Sequence, residues 1–526
     1  MRSDPNIRRR VLLQGAAAFA AAGILPWGQL AAAPVRRGGT LRMSIGQAVS
    51  KIHPLQARVT PEYLVTEMLY SGLTRLGEDA TAVDPDLALS WSSNKELTQW
   101  TFKLRPNVEF HDGSPCTASD VVASFEALLD PATASPGRQN VGPIAKVTAI
   151  DKETVVFSLK SPYADLPAAL AFPNAKVIPA AVLKSGMSRL SREAIGTGPF
   201  KLVKYEPERV VLVVRNDKYY DKERPYLNKI EVRVYPDTTA EGSALIAGDT
   251  DAMALVQPTE FERFKSATGV DALRSASGQF CNVILGCNQK PFNDVRVRKA
   301  LALTVDRKTM VDFVAEGYGQ PANDNPVSAA YQYFKAQPDK IVDIPQAKRL
   351  LAEAGYPKGL DLTLVASDNP AIRTQLGVAL REMAKPAGFN INVQTMPHST
   401  YLDQVWKKGP FYVGFYNMQP TVDAIFSLLY TSSSSWNETH WNNKQFDSIV
   451  EQARSSADRS KRAELYAEAQ RLMSEDVPSV IPVFFDVLRA KRRYVHGYTA
   501  HPRGNTFRMD YVALDESAPK HAWATA

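Results

Sequence analysis

The 526-residue chain has few of the groups that usually advertise chemistry. It carries three cysteines, Cys116, Cys281 and Cys287, and seven histidines. No CxxC pair and no metal-ligand spacing occurs among them, so neither a redox dithiol nor a resident metal centre is expected. Only His496 and His501 fall close together. The formal net charge is +7, and Arg2, Arg8, Arg9 and Arg10 against Asp4 account for +3 of it, leaving +4 for the rest. No Lys/Arg block has the size of a nucleic-acid footprint, and Lys491-Arg492-Arg493 reads as a solvated turn. The Gly196-Thr197-Gly198-Pro199 run lacks the GK[ST] ending of a phosphate loop, and Pro199 removes an amide such a cradle uses. There is no nucleophile elbow. His111 beside Asp112 and Gly113 reads as a turn rather than a catalytic pair. Repeats and long linkers are missing as well.

What is present describes a large mixed protein. Hydrophobic residues make up 44% and charged residues 22%, enough for more than one core. Residues 1–33 read as an export signal. Arg8-Arg9-Arg10 precedes an Ala-rich stretch too short to span a membrane comfortably, and Ala31-Ala32-Ala33 follows. Paired arginines before a weakly hydrophobic run resemble a twin-arginine signal, with a Sec signal as the alternative. Lipid anchoring at the exit is excluded by the lack of a cysteine there.

The remainder alternates strands and helices. Residues 38–48 and 100–104, the hairpin 147–159, and the runs 210–214 and 230–234 alternate as strands. Pro61–Leu69 and residues 291–313, 344–358, 373–385, 445–454 and 459–473 repeat at helical spacing. Thr117 caps the helix that follows it, with Asp120 in the capping-box position. Residues 83–91 read as a Pro-punctuated loop, and 480–485 as a short buried strand. The β/α alternation after residue 290 predicts a mostly parallel sheet there. Cys281 and Cys287 on one extended strand stand roughly 20 Å apart at ~3.3 Å per residue, so free, mostly buried thiols are expected.

Phe411–Trp441 is the most aromatic stretch, with Phe411, Tyr412, Phe415, Tyr416, Trp436 and Trp441 among amides and hydroxyls. Its only acids are Asp423 and Glu438. Aromatic faces with a few polar groups suit a small-molecule site. An aromatic core strand and helix is the competing reading.

Six segments then fall in a telling order: Asp86–Trp91, TFKLRPNVEFHDGSPCTASDVVASF, GTGPFKLVKYEP, PFNDVRVRKALALTVDR, the helix end EAGYPKG and the closing VPSVIPVFF. Together they resemble the extracytoplasmic solute-binding proteins of the dipeptide/oligopeptide class (family 5) that feed ABC importers. The resemblance implies an α/β, two-lobed periplasmic binding protein fold of the cluster C type, with an extra subdomain and a hinge of two crossover strands. Residues 35–275 plus 496–526 form one lobe, with the subdomain at about 70–194, and 276–495 form the other. The implied partners are a peptide or other small ligand and the ABC permease, with no nucleic acid. The implied state is a monomer without a cofactor, without metal and without catalysis.

Peptide binders of this class carry an aromatic-x-x-Asp pattern whose Asp pairs with the ligand's α-amino group. Aligning Phe415 with that aromatic puts Met418 where the Asp stands. A thioether facing a buried ammonium leaves it unpaired. Either Asp423 or another acid takes over, or the ligand has no ammonium there. Candidate ligand contacts are Gln47, Gln279, Phe280, Asn282, Phe415, Tyr416, Asn417, Met418, Asp423, Trp436 and Asn437. Arg373 is available to a ligand carboxylate, or is a surface charge. The solute is peptide-like, or a non-peptide such as an opine, a sugar–amino acid conjugate, a metal chelate or haem. An exported hydrolase is the reading from another class.

Overall fold

Two unusually long strands run through the whole structure, a computed structural model that describes residues 36–523. The expected export signal lies outside the described residues. The main sheet contains, in chain order, β1 (Thr40–Ile45), β2 (Phe200–Glu206), β3 (Val210–Arg215), β4 (Lys229–Val234), β5 (Ala252–Met253), β6 (Val270–Leu285), β7 (Gly319–Pro321), β8 (Leu360–Ser367), β9 (Phe389–Met396), β10 (Phe411–Tyr416) and β11 (Ser479–Arg492). Its spatial order is β9-β8-β10-β6-β11-β5-β1-β4-β3-β2, with β7 on β11 beside this path. A separate four-stranded sheet joins 88–93, 99–104, 154–159 and 144–151.

Packing separates into distinct cores. One draws on residues from Leu41 to Ala254 and again from Tyr494 to Ala522. Two others draw on residues 280–485, with Ala80 the one outside contribution. β6 and β11 pair across both regions. Val270–Ser275 face Val487–Arg492, and Gln279–Ile284 face Ser479–Phe485. Between these blocks the register shifts from Ser275/Val487 to Gln279/Phe485. Residues Ala276, Ser277 and Gly278 therefore form a bulge, which bends a strand and raises its twist. The fold is the expected two-lobed α/β type, with two crossover strands.

The sheet departs from expectation in one respect. Only β8, β9 and β10 run parallel after residue 290. β10 and β11 are both antiparallel to β6. The reason is the path: β6 carries the chain out along the sheet and β11 carries it back. Residues 83–91 also differ, forming strands at Val83–Pro85 and Ala88–Ser93. Their outward faces are exposed, Leu89 among them, so no apolar alternation marks them.

Local signals explain the rest. Asp120 Oδ2 accepts from Thr117 N at 2.8 Å and Thr117 Oγ1 at 3.0 Å. Helix α1 (Thr60–Leu69) ends against the Gly196–Pro199 run, where Gly198 N donates to Leu69 O at 3.1 Å. A Cβ on Gly198 would stand 2.4 Å from the backbone carbon of Leu69. The run is a packing turn whose glycines let two backbones touch. His111 is half-buried against the same turn, its Nε2 3.1 Å from Gly198 O. Burial pulls its pKa down to about 4, so it is neutral at pH 7. The three cysteines are free, and burial pushes Cys281 up to about 12 and Cys287 to about 11. Among the described residues no helix is long and apolar enough to cross a membrane.

Gly278 sits at the tightest point of the bulge. A Cβ there would lie 2.6 Å from Tyr331 Cε2 and 2.9 Å from Met418 Cγ. Gly278→Val is expected to cost about 1–3 kcal/mol through overpacking, read as a lower midpoint in thermal denaturation. An unchanged midpoint would show that Tyr331 and Met418 can move aside, and that the bulge is not pinned by them.

Candidate functional site

Side-chain alternation sorts β10 into two faces. Phe411, Val413 and Phe415 join the core, where Phe411 packs on Phe292 and Phe415 on Phe485. Tyr412 and Tyr416 face the other way and converge on Glu438. This carboxylate is 3% exposed. It accepts from Trp406 Nε1 at 2.7 Å, from Tyr412 OH at 3.0 Å and from Tyr416 OH. Gly414 lies between the two tyrosines because a Cβ there would stand 2.5 Å from Asn282 Oδ1. Burial raises the Glu438 pKa to about 7, against the hydrogen bonds from Trp406 and Tyr412 and the positive charges of Arg373 and Lys407, which lower it. Arg373 is buried, with its guanidinium 5.3 Å from the Tyr401 ring.

Beside this cluster, Trp436 is half-buried and meets Trp406 edge-on at 5.2 Å, with Lys407 Nζ 5.7 Å from the Trp436 ring. Asn437 holds the Ser-rich loop together, donating to Trp441 O at 2.8 Å and Thr431 O at 3.3 Å. Phe280 is fully buried between Tyr416 and Phe484. Asn282 is 1% exposed, and its Oδ1 has no partner among the described residues.

A second group gathers at the bulge. Met418 is buried against Gly278 and Tyr331. Tyr331 OH accepts from Gln419 N at 2.9 Å. Asn417 is exposed, and its Oδ1 accepts from Gln279 Nε2 at 3.2 Å. Gln47 does not join either group. It is exposed beyond β1 and lines a separate cavity of about 210 Å³ with Thr60, Glu241 and Gln257.

Asp423 is committed elsewhere. It lies on α2 (Val422–Leu429), 1% exposed. Arg454, at the end of α3 (Lys444–Arg454), donates Nε to Oδ1 and Nη2 to Oδ2, both at 3.1 Å. A bidentate guanidinium occupies the carboxylate, so Asp423 is not free to replace the carboxylate missing at Met418. Near it, Ala164 N donates to Arg454 O at 2.9 Å, and Arg462 of α4 (Arg459–Asp476) bonds Asp165.

Cavities follow the line where the two regions meet. One of about 1110 Å³ is lined by Glu78, Asp79, Arg274, Ala330, Pro502 and Arg508, among others. Another of about 600 Å³ is lined by Trp91, Trp100, Asp165, Tyr333, Pro420 and Arg462, among others. Both draw on segments 76–168 and 329–462. Among the described residues no group of three or more His, Cys, Asp or Glu could hold a metal ion.

Comparison with known proteins decides the family. The profile of the bacterial extracellular solute-binding proteins, family 5 Middle, matches residues 82–440. The chain belongs to this family. Among curated relatives of this family-5 protein, the periplasmic oligopeptide-binding protein OppA of Salmonella typhimurium is 28% identical, over 88% of this chain and 90% of its own. Heme-binding protein A of Haemophilus influenzae is 28% identical over 84% and 86%. The glutathione-binding protein GsiB of Escherichia coli K12 is 26% identical over 88% and 92%. In fold, the family-5 chain superposes on the substrate-binding protein CtaP of Listeria monocytogenes with a TM-score of 0.81 at 24% identity, covering 91% of this chain and 100% of that one. It superposes on AgaA of A. tumefacien R10, solved with agropinic acid, at 0.77 and 24%, covering 91% and 99%.

Two groups escaped sequence reasoning. Glu438 appeared only as one of two acids in an aromatic stretch, and Tyr331 with the bulge not at all. Nothing local marks them, because their neighbours lie tens to hundreds of residues away.

Glu438 makes stability depend on pH. Its carboxyl titrates near 4.5 in the unfolded chain and near 7 in the folded one. Between those values the folded chain keeps a proton that the unfolded chain has released. Stability therefore falls as pH rises through that window, by roughly 3 kcal/mol. Glu438→Gln is expected to flatten this part of the curve, so thermal midpoints measured from pH 4.5 to 8 should fall less for the variant than for wild type. Parallel curves would place the titration on another group.

Proposed function

We propose that this protein is the periplasmic solute-binding component of an ABC importer. It encloses a small solute between two lobes, residues 35–275 with 496–526 and residues 276–495, and presents the closed form to the permease. Residues 70–194 are the extra subdomain of the first lobe. The observation that carries this reading is the pair of strands β6 and β11, which link separately packed cores and share a bulge at the seam. A two-strand link with cavities beside it suits hinge closure, and a solute drives closure only through greater affinity for the closed form. Export by the twin-arginine route and action as a monomer complete the proposal.

The solute is peptide-like or of similar size. Relatives are named for oligopeptide, haem and glutathione. Within that range, one observation favours a solute without a free amino group at the usual place. Met418 supplies no charge, and Asp423 is bonded to Arg454. An ammonium enclosed beside Met418 would have no anion, so an opine-like or acylated solute is the second reading.

Binding without turnover is the signature. A bound solute at a hundredfold its Kd stabilises the folded state by about 2.7 kcal/mol. Mass spectrometry of the native protein should therefore detect a copurifying small molecule whose removal lowers the thermal midpoint and whose return restores it. Cleavage of a peptide library by pure protein, abolished by one Ser or Cys substitution, would replace this reading with a hydrolase.

A further inference from the structure

Six arginines are buried: Arg298, Arg307, Arg373, Arg462, Arg489 and Arg503. A guanidinium cannot shed its charge at physiological pH, so burying one demands partners. Four of the six have them. Arg298 bonds Asp476 and the Phe292 carbonyl. Arg307 bonds Asp324, and Arg462 bonds Asp165. Arg489 donates to the carbonyls of Thr499 and Gly504. Arg373 has the field of Glu438 and the face of Tyr401.

Arg503 has no comparable partner. It is 1% exposed, and its Nε and Nη1 have no hydrogen-bond partner among the described residues. Its backbone N donates to His501 Nδ1, but that bond does nothing for the guanidinium. Phe172 lies 5.4 Å away, face-on to the charge. The charged and titratable groups that act on Arg503 are Tyr331, Tyr63 and Glu67. Glu67 is already paired with Lys176 at 3.0 Å. Burial lowers the Arg503 pKa to about 10, a sign that the charge is poorly compensated.

Its position is the seam. Its chain neighbour Pro502 and Tyr331's neighbour Ala330 both line the cavity of about 1110 Å³. Its other neighbour, Gly504, packs so closely that a Cβ would stand 2.6 Å from Gln279 Nε2, the group that donates to Asn417. Tyr331 in turn packs on Gly278 beside Met418. Beside the bulge, an uncompensated cation thus stands near Met418, which carries no charge, while two acids of the cavity, Glu78 and Asp79, are exposed on its lining.

We propose that Arg503 is the anchor for an anionic group of the solute, a carboxylate that accepts from one of its unpaired donors, Nε or Nη1, when the lobes close. This rests on the binding-protein reading and specifies its solute as an acid. A carboxylate oxygen would supply the charge-assisted hydrogen bond that these donors lack among the described residues.

The test uses full-length mature protein stripped of bound solute by unfolding in guanidinium chloride and refolding. Wild type, Arg503→Met and Arg503→Lys are scanned thermally with succinate, N-acetyl-dialanine and glutathione, each beside its neutral amide or ester at equal ionic strength. At least one acid is expected to raise the wild-type midpoint where its neutral derivative does not. The acid's affinity should fall at least about tenfold in Arg503→Met, as loss of a charged hydrogen bond implies, and less in Arg503→Lys. Without any probe, Arg503→Met should melt at or above wild type, because it removes an unpaired buried charge. The proposal is overturned if Arg503→Met alone melts below wild type, if the variant keeps the acid response, or if no acid outperforms its neutral derivative. A copurifying solute with no acidic group would also overturn it while leaving the binding-protein reading intact. The failure of any solute to bind would remove that reading instead.

Discussion

The antiparallel pairing of β6 with β11 is the constraint on which the other features depend. Both strands are almost wholly buried where they run beside β10 and β7. A one-residue slip in either would turn every core side chain outward, so the register on both sides of the bulge is firmly specified. The bulge at Ala276–Gly278 is then the larger of two interruptions in this ladder, the other lying between Cys281 and Val283, and it is where the pair can flex most easily. Side chains that touch it, Tyr331 and Met418, couple any solute near the β10 terminus to the geometry of the link.

Charge is distributed along the seam with the same economy. Asp165 with Arg462 and Asp423 with Arg454 tie residues 164–165 to the helices after residue 422. Asp423 is buried and Asp165 largely so, and a buried pair gains little net stability over apolar packing while a broken one is costly. Such pairs therefore act mainly to define one arrangement of these segments. Their presence also explains why Asp423 cannot serve a ligand: its two oxygens are spent on holding α2 against α3.

Much of the fold was legible because its signals are local. The Thr117–Asp120 cap, the punctuated helix whose Asp343 accepts from Gln346 N, and the alternation of Trp100, Phe102 and Leu104 are all set within a few residues. β11 was legible only as far as Phe485. Beyond it, Lys491-Arg492-Arg493 reads as a solvated turn, yet the strand continues to Arg492, Lys491 bonds Asp271, Asp486 bonds Arg274, and Arg489 donates to carbonyls of the C-terminal loop. Partners 220 residues away in sequence made a charged run into a buried strand. The candidate site was legible in part for the same reason. Tyr416 and Met418 pack in one core, with Trp436 half-buried against it, as their aromatic stretch suggests, but the partner of Asp423 lies 31 residues on. The absence of a partner at Arg503 is invisible until the fold is assembled.

Specificity in such a molecule has to come from few side chains. The chain is similar along most of its length to proteins named for oligopeptide, haem and glutathione, and its fold superposes on one solved with agropinic acid. A common frame that accommodates such different solutes cannot itself discriminate among them. Discrimination is a difference in free energy, and it is largest where a buried polar group is either met or left unmet. By that criterion Met418 and Arg503 outweigh the aromatic walls. A methyl or a ring more or less shifts apolar burial gradually, whereas an ammonium set against Met418, or a neutral group set against Arg503, leaves a charge enclosed and alone.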